Sequence, residues 1–294
     1  MKRSTPTAAL FALAVTTLAS CSPYPVRDAP SANFNNRVRY LIIHYTSEDT
    51  ATSLRLLTQV SSRPVSAHYL VDVPSRERGP ATVYRLVQES DRAWHAGRSY
   101  WRGESSLNSA SIGIEIVNQS ACPALLNPLR AAVEAADGDD PSNAEAPNDV
   151  CSFLPYPEGQ IETLIRLLQG ILERHPDIEP YRVLAHSDIA PQRKTDPGPL
   201  FPWRRLHEAG IGAWYDEERV TSLRRRFATA PPSTLELQQA LGKWGFDVSP
   251  TGVMDETTRT AVRAFQLHFR PARYDGEADA QTAAILYALN ERYN

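Results

Sequence analysis

Between Ser111 and Val117 residue character alternates with a period of two, Ile112, Ile114 and Ile116 falling on one face and Gly113, Glu115 and Val117 on the other. An extended chain turns successive side chains to opposite faces, so this run forms a strand with one apolar face against a core. Val38 to Ile43, rich in aliphatic and β-branched residues, reads as a buried strand, and Tyr69–Val73, Val83–Val87 and Tyr181–Ala185 as shorter ones. From Ile161 to Arg174 the period changes: Ile161, Leu164, Ile165, Leu168, Ile171 and Leu172 recur at i, i+3 and i+4. That is an amphipathic helix, stopped near Pro176. A shorter helix is predicted around Thr52–Val60. Strands that alternate with helices define an α/β domain, a mixed central β-sheet flanked by helices.

Residues 217–232 run from a charged stretch (Glu217, Glu218, Arg219, then Arg224-Arg225-Arg226) into Pro231-Pro232, the signature of a linker. Beyond it, residues 233–294 carry three helical patterns, marked by Leu237, Leu241 and Trp244, by Ala261, Val262 and Phe265, and by Ile285, Leu286 and Leu289. They form a small three-helix C-terminal domain, near the lower size limit for a self-sufficient core. With 31 basic and 34 acidic side chains the net charge is −3, which excludes a protein that coats nucleic acid.

The chain has three cysteines, an odd number that cannot all pair internally. The N-terminus accounts for one. Lys2 and Arg3 precede an apolar stretch from Ala8 to Leu18, too short to span a bilayer, so residues 1–20 read as a secretory signal. Leu18-Ala19-Ser20-Cys21 resembles the bacterial lipobox, in which the cysteine is lipidated and becomes the first residue; the alternative is plain secretion with Cys21 unmodified. Residues 21–36 then serve as a tether, and Ser22 after the cysteine matches the sorting pattern for the outer membrane. Contact with the membrane would come from the lipid alone, because removing Lys2 and Arg3 leaves a net charge of −5.

Cys122 and Cys151 stand near the ends of a segment, 119–158, in which periodicity disappears and Asp, Asn, Ala and Pro accumulate. In an exported chain these two cysteines are expected to pair across the loop, two free thiols being the alternative.

No Gly-x-Ser-x-Gly elbow and no glycine-rich phosphate loop is present. Two histidines fall at strand ends instead: His44 after the first strand and His186 after Tyr181–Ala185, with Asp196 in a Pro/Gly-stiffened loop that follows. Two imidazoles and a carboxylate suit zinc and leave a fourth position for water, whose pKa the metal lowers toward ~7. Each residue alone has a plainer reading, a hydrogen-bonded core histidine or a turn aspartate.

Five blocks occur in order: Tyr40-Leu41-Ile42-Ile43-His44-Tyr45-Thr46, Val65-Ser66-Ala67-His68-Tyr69-Leu70-Val71, Ala93-Trp94-His95-Ala96-Gly97, Ser111-Ile112-Gly113-Ile114-Glu115-Ile116-Val117-Asn118, and His186 to Pro199. The series resembles the zinc-dependent N-acetylmuramoyl-L-alanine amidases related to peptidoglycan recognition proteins, and within them the AmiD-type outer-membrane lipoproteins. The resemblance covers roughly residues 37–215 and frames a catalytic domain at 37–216 with 119–158 as a Cys-bracketed insertion. It implies one Zn²⁺ held by His44, His186 and Asp196. Glu115 then matches the catalytic glutamate, general base and acid, and Lys194 the lysine that stabilises the oxyanion. His68, Trp94 and His95 match positions lining the substrate groove. The C-terminal residues Leu237 to Leu241, Thr251 to Thr258 and Ala261 to Gln266 resemble a three-helix peptidoglycan-binding module.

The reading that follows is a lipid-anchored zinc amidase on the periplasmic face of the bacterial outer membrane. It would cut between N-acetylmuramic acid, or its anhydro form, and L-alanine in peptidoglycan or muropeptides. Two rivals stand beside it: a lipoprotein that binds peptidoglycan without cutting, and a zinc hydrolase of some other amide.

Overall fold

The sheet that the aliphatic runs call for is present, in a computed structural model that describes residues 27, 29–33, 36–122 and 151–294. Residues 1–20, Cys21 and most of the tether, together with 123–150, lie outside the described residues. Residues 36–294 form one compact unit. Within the preceding unit, the Asn33 backbone N–H donates to Ser31 Oγ at 3.0 Å.

The strands are β1 (Tyr40–Tyr45), β2 (Tyr69–Val71), β3 (Val83–Arg85), β4 (Tyr100–Trp101), β5 (Glu104–Ser105), β6 (Ser111–Ile116) and β7 (Val183–Ala185). Five of them make a sheet in the order β3-β2-β6-β1-β7. The β2–β3 pair is antiparallel and the others are parallel, so the sheet is mixed, as expected. Tyr181 and Arg182 stay outside β7, in a short 3-10 turn that begins at Pro180. Leu41, Ile42 and Ile43 of β1 and Ile112, Ile114 and Ile116 of β6 are completely buried at its centre.

Helix α1 (Thr50–Thr58) is capped by Asp49, whose carboxylate accepts from the Thr52 N–H at 2.8 Å. Helix α2 (Glu158–Arg174) lays Ile161, Leu164, Leu168 and Ile171 into the core, the stripe predicted from their spacing. Each fully buried aliphatic side chain of this kind contributes about 1.5–3 kcal/mol. The chain leaves β7 directly into the single-turn helix α3 (His186–Ile189), and α4 (Trp203–Glu208) follows.

Residues 217–232 are not the linker that their charge suggested. Asp216 caps helix α5 (Glu217–Thr229), accepting from the Arg219 N–H at 2.7 Å. Val220, Leu223 and Phe227 recur at i, i+3 and i+7, an apolar stripe half hidden among the arginines, and all three are buried. The connection shortens to Ala230–Pro232, because α6 (Thr234–Trp244) starts at a Ser233/Glu236 capping box. Then come α7 (Glu256–Phe269) and α8 (Ala280–Tyr293), and α5 packs against α8 with the Phe227 and Tyr287 rings 5.0 Å apart.

The turns before α7 and α8 are built alike. Gln238 Oε1 accepts from the Gly252 N–H and Gln266 Oε1 from the Gly276 N–H, each at 2.8 Å. Both glycines sit at positive φ, 78° and 81°, where a side chain would be strained.

The β4–β5 hairpin plugs into the C-terminal helices. Trp101 is fully buried, edge-on to Trp244 and Phe246, and the Arg102 backbone N–H donates to Gly245 O at 3.0 Å. A Cβ on Gly245 would come within 2.5 Å of the Trp101 ring, so only glycine admits it.

Candidate active site

The parallel register of β1 and β6 pairs His44 with Glu115. Paired residues of neighbouring strands point to the same face, so both side chains leave the sheet together. On the other side of β1, Ile43 pairs with Ala185, the last residue of β7. His186, the next residue, therefore emerges beside His44. The loop from α3 returns Asp196 to the same place, tied there by the Ser187 N–H donating to Asp196 O at 3.0 Å.

Three atoms converge as a result. His44 Nδ1 and His186 Nδ1 are 2.9 Å apart, and Asp196 Oδ2 lies 3.1 Å and 3.0 Å from them. The remaining contacts of the rings settle where their protons sit. The Ser111 hydroxyl donates to Leu107 O at 2.7 Å, so its oxygen accepts from His95 Nε2–H at 3.1 Å. His95, whose pKa burial drives well below the usual histidine value, then carries a bare Nδ1 that accepts from His44 Nε2–H at 3.0 Å. His186 is likewise neutral, its pKa lowered to about 3 by burial first of all, and its Nε2–H faces Ala96 O at 3.3 Å.

His186 thus turns a lone pair toward the ionised Asp196 carboxylate, and His44, whose Nε2 is engaged by His95, points its Nδ1 at the same oxygen. A cation lying among these three atoms would offset the crowding of electron-rich groups. Two imidazole nitrogens and one carboxylate oxygen about 3 Å apart are a fitting donor set for zinc, whose tetrahedral ligands stand roughly 3.3 Å from each other. Outer hydrogen bonds that fix ring and tautomer are characteristic of such sites.

A cavity of about 230 Å³ opens over this triangle and is also lined by Glu115, Lys194 and Trp94. Glu115 Oε2 is buried and has no hydrogen-bond partner. Burial pushes this carboxyl up to about 7, with Asp196 adding to the rise and His44 and Lys194 opposing it. Trp94 stands at the rim, 45% exposed, with the Arg92 guanidinium 3.8 Å above its ring.

Of the other two residues matched to the groove, His95 lines the cavity and also meets His44, its Nδ1 3.0 Å from His44 Nε2. His68 is not among the cavity's lining residues. It is fully buried, its Nδ1 accepting from the Gly113 N–H at 3.0 Å and its Nε2 donating to Asp91 O at 3.1 Å. Sequence reasoning passed over Asn108, whose Oδ1 accepts from the backbone N–H groups of His95 and Ala96 at 3.0 and 2.8 Å. It also passed over Gly113, where a Cβ would meet the His95 ring at 2.3 Å. A glycine in mid-strand was the available signal for such a close approach. Cys122 and Cys151 form a disulfide beside the Ala121–Ser152 bridge, closing the base of the insertion.

Fold and site together define a hydrolase-like mixed-sheet domain with a His-His-Asp group that could hold a metal ion. Residues 34–199 match the N-acetylmuramoyl-L-alanine amidase family and residues 231–286 a peptidoglycan binding domain. The chain belongs to the N-acetylmuramoyl-L-alanine amidase family. It is 43% identical over 259 residues to N-acetylmuramoyl-L-alanine amidase AmiD of Escherichia coli, covering 87% of this chain and 84% of that one. The structure of AmpDh3 from Pseudomonas aeruginosa superposes with a TM-score of 0.76 at 40% identity, covering 90% of this chain and 96% of the other. Escherichia coli AmiD in complex with the substrate anhydro-N-acetylmuramic acid-L-Ala-D-gamma-Glu-L-Lys matches with a TM-score of 0.72 at 41% identity, over 90% of this chain and 93% of that one.

Proposed function

We propose that this chain hydrolyses the amide between the lactyl group of N-acetylmuramic acid, or its anhydro form, and L-alanine in peptidoglycan and muropeptides. The observation that carries the reading is the convergence of His44, His186 and Asp196 beside Glu115, whose buried Oε2 has no hydrogen-bond partner. The substrate held by Escherichia coli AmiD supports the choice of amide.

His44, His186 and Asp196 would hold one Zn²⁺. When bound, the ion supplies a Lewis acid and acidifies a water. Glu115 accepts the proton of the attacking water and delivers it to the nitrogen of the departing L-alanine, a task suited to a carboxyl poised near neutrality. Lys194, on the same cavity wall, presents an ammonium to the oxyanion that develops on the lactyl carbonyl. Trp94 offers an exposed aromatic face to the sugar–peptide junction.

The C-terminal helices would hold the polymer and raise the local concentration of cleavable bonds. An acyl group on Cys21 would anchor the protein to the periplasmic face of the outer membrane, through lipid and not through basic surface. Among the described residues no helix is long and apolar enough to cross a membrane.

Digestion of defined muropeptides, with a chelator and then with zinc restored, tests the assignment by mass analysis of the products. Release of an intact stem peptide only when zinc is present supports it. Binding without release would favour the non-catalytic rival.

A further inference from the structure

His268, near the C-terminal end of α7, looks unremarkable in the sequence, yet it is only 2% exposed. Its ring stacks on Trp203 of α4, centroids 3.8 Å apart and planes at 22°. Its Nδ1–H donates to Asp188 Oδ2 at 2.7 Å, and the same oxygen accepts from the Ala185 backbone N–H at 2.8 Å. Asp188 belongs to α3, whose first residue is His186. A helix of one turn cannot hold its own shape, so external contacts decide its pose.

Further along α7, Thr260, Ala264 and Leu267 face Pro191, Lys194 and Thr195 across a gap of only about 10 Å³. The same helix therefore backs both α3 and the loop that carries Lys194 and leads to Asp196. Beyond α7, the Tyr274 ring lies 6.0 Å from Phe153, which packs so closely on Gly198 that a Cβ there would meet it at 2.8 Å.

We infer that α7 is part of the active site, with His268 acting through Asp188 as a positioning residue that sets the pose of His186. The C-terminal helices are then more than a polymer-holding module, since they complete the metal site from behind. This rests on the reading that His186 and Asp196 hold zinc.

The test compares full-length variants. His268→Phe keeps the stacked ring and removes the N–H, and His268→Asn returns an N–H near the Nδ1 position. Leu286→Ala, in α8, is a control that loosens the C-terminal core at a fully buried site. Zinc dissociation constants come from competition with a chromogenic chelator, kcat and KM from a soluble anhydro-muropeptide. Thermal stability of the metal-free chain and co-sedimentation with insoluble peptidoglycan complete the set.

His268→Phe should weaken zinc binding about 10-fold, as outer-shell losses do. It should lower kcat more than KM changes and leave co-sedimentation intact, and His268→Asn should recover most of both losses. Leu286→Ala should lose stability while keeping the parent's zinc affinity. Parent-like zinc affinity in His268→Phe would overturn the inference, and so would an equal loss in Leu286→Ala. A parent chain that binds no zinc would instead overturn the metal assignment itself.

Discussion

His44 Nε2 lies 3.0 Å from His95 Nδ1, and that contact aims the other nitrogen of His44 at Asp196 and His186. His95 is held in turn by Ser111 behind it and by Asn108 at its backbone. His95→Ala should therefore weaken zinc binding about 10- to 100-fold. Competition titration against a chelator measures this. An unchanged constant would show that His44 needs no such partner.

Among the described residues, Glu115 has the one carboxyl in the cavity wall that takes no part in the convergent triangle. Glu115→Ala should abolish release of stem peptide while zinc content, read by atomic absorption, stays at one per chain. Surviving turnover would assign the proton transfers to another group.

Trp101 joins the sheet domain to the C-terminal helices by filling the space between Trp244 and Phe246. Trp101→Ala should cost about 3–5 kcal/mol of stability, the usual range for emptying such a site. Chemical denaturation of the metal-free chain measures it. A loss below about 1 kcal/mol would mean that the two parts hold together without this plug.

Glu89 gives the fold an acid-sensitive clamp. Burial alone would push its carboxyl up, but hydrogen bonds from Arg174, Tyr69 and His175 outweigh that and hold it at about 2. A pKa lower in the folded state than in the unfolded one stabilises the fold wherever the unfolded carboxyl is ionised. The contribution is whole above pH ~4.5 and disappears as pH falls through about 2. Thermal scans between these limits should show the parent losing stability more steeply than Glu89→Gln. Parallel curves would remove Glu89 as the cause.

Much of the site was legible because its residues hang on local patterns. The alternation from Ser111 to Val117 set Glu115 opposite the buried isoleucines, and the aliphatic run before His44 put that ring at the open end of a strand. Helix α5 was hidden because its charges dominate its composition, whereas folding depends on the stripe of Val220, Leu223 and Phe227. The partners of His95 and His268 were beyond reach for another reason. His44 and His95 are 51 residues apart and Asp188 and His268 are 80 apart, so no periodicity links them. Tertiary packing alone makes them neighbours.

The β4–β5 hairpin also bears on how such a chain can be inherited. Trp101 is encoded far upstream of the helices it fills, and at Gly245 the absence of a side chain makes room for it. A recombination joint at Ala230–Pro232 would separate lock from key, leaving an empty slot on one parent and an exposed indole on the other. Exchange of this C-terminal unit between relatives should therefore succeed only when the donor's own hairpin travels with it.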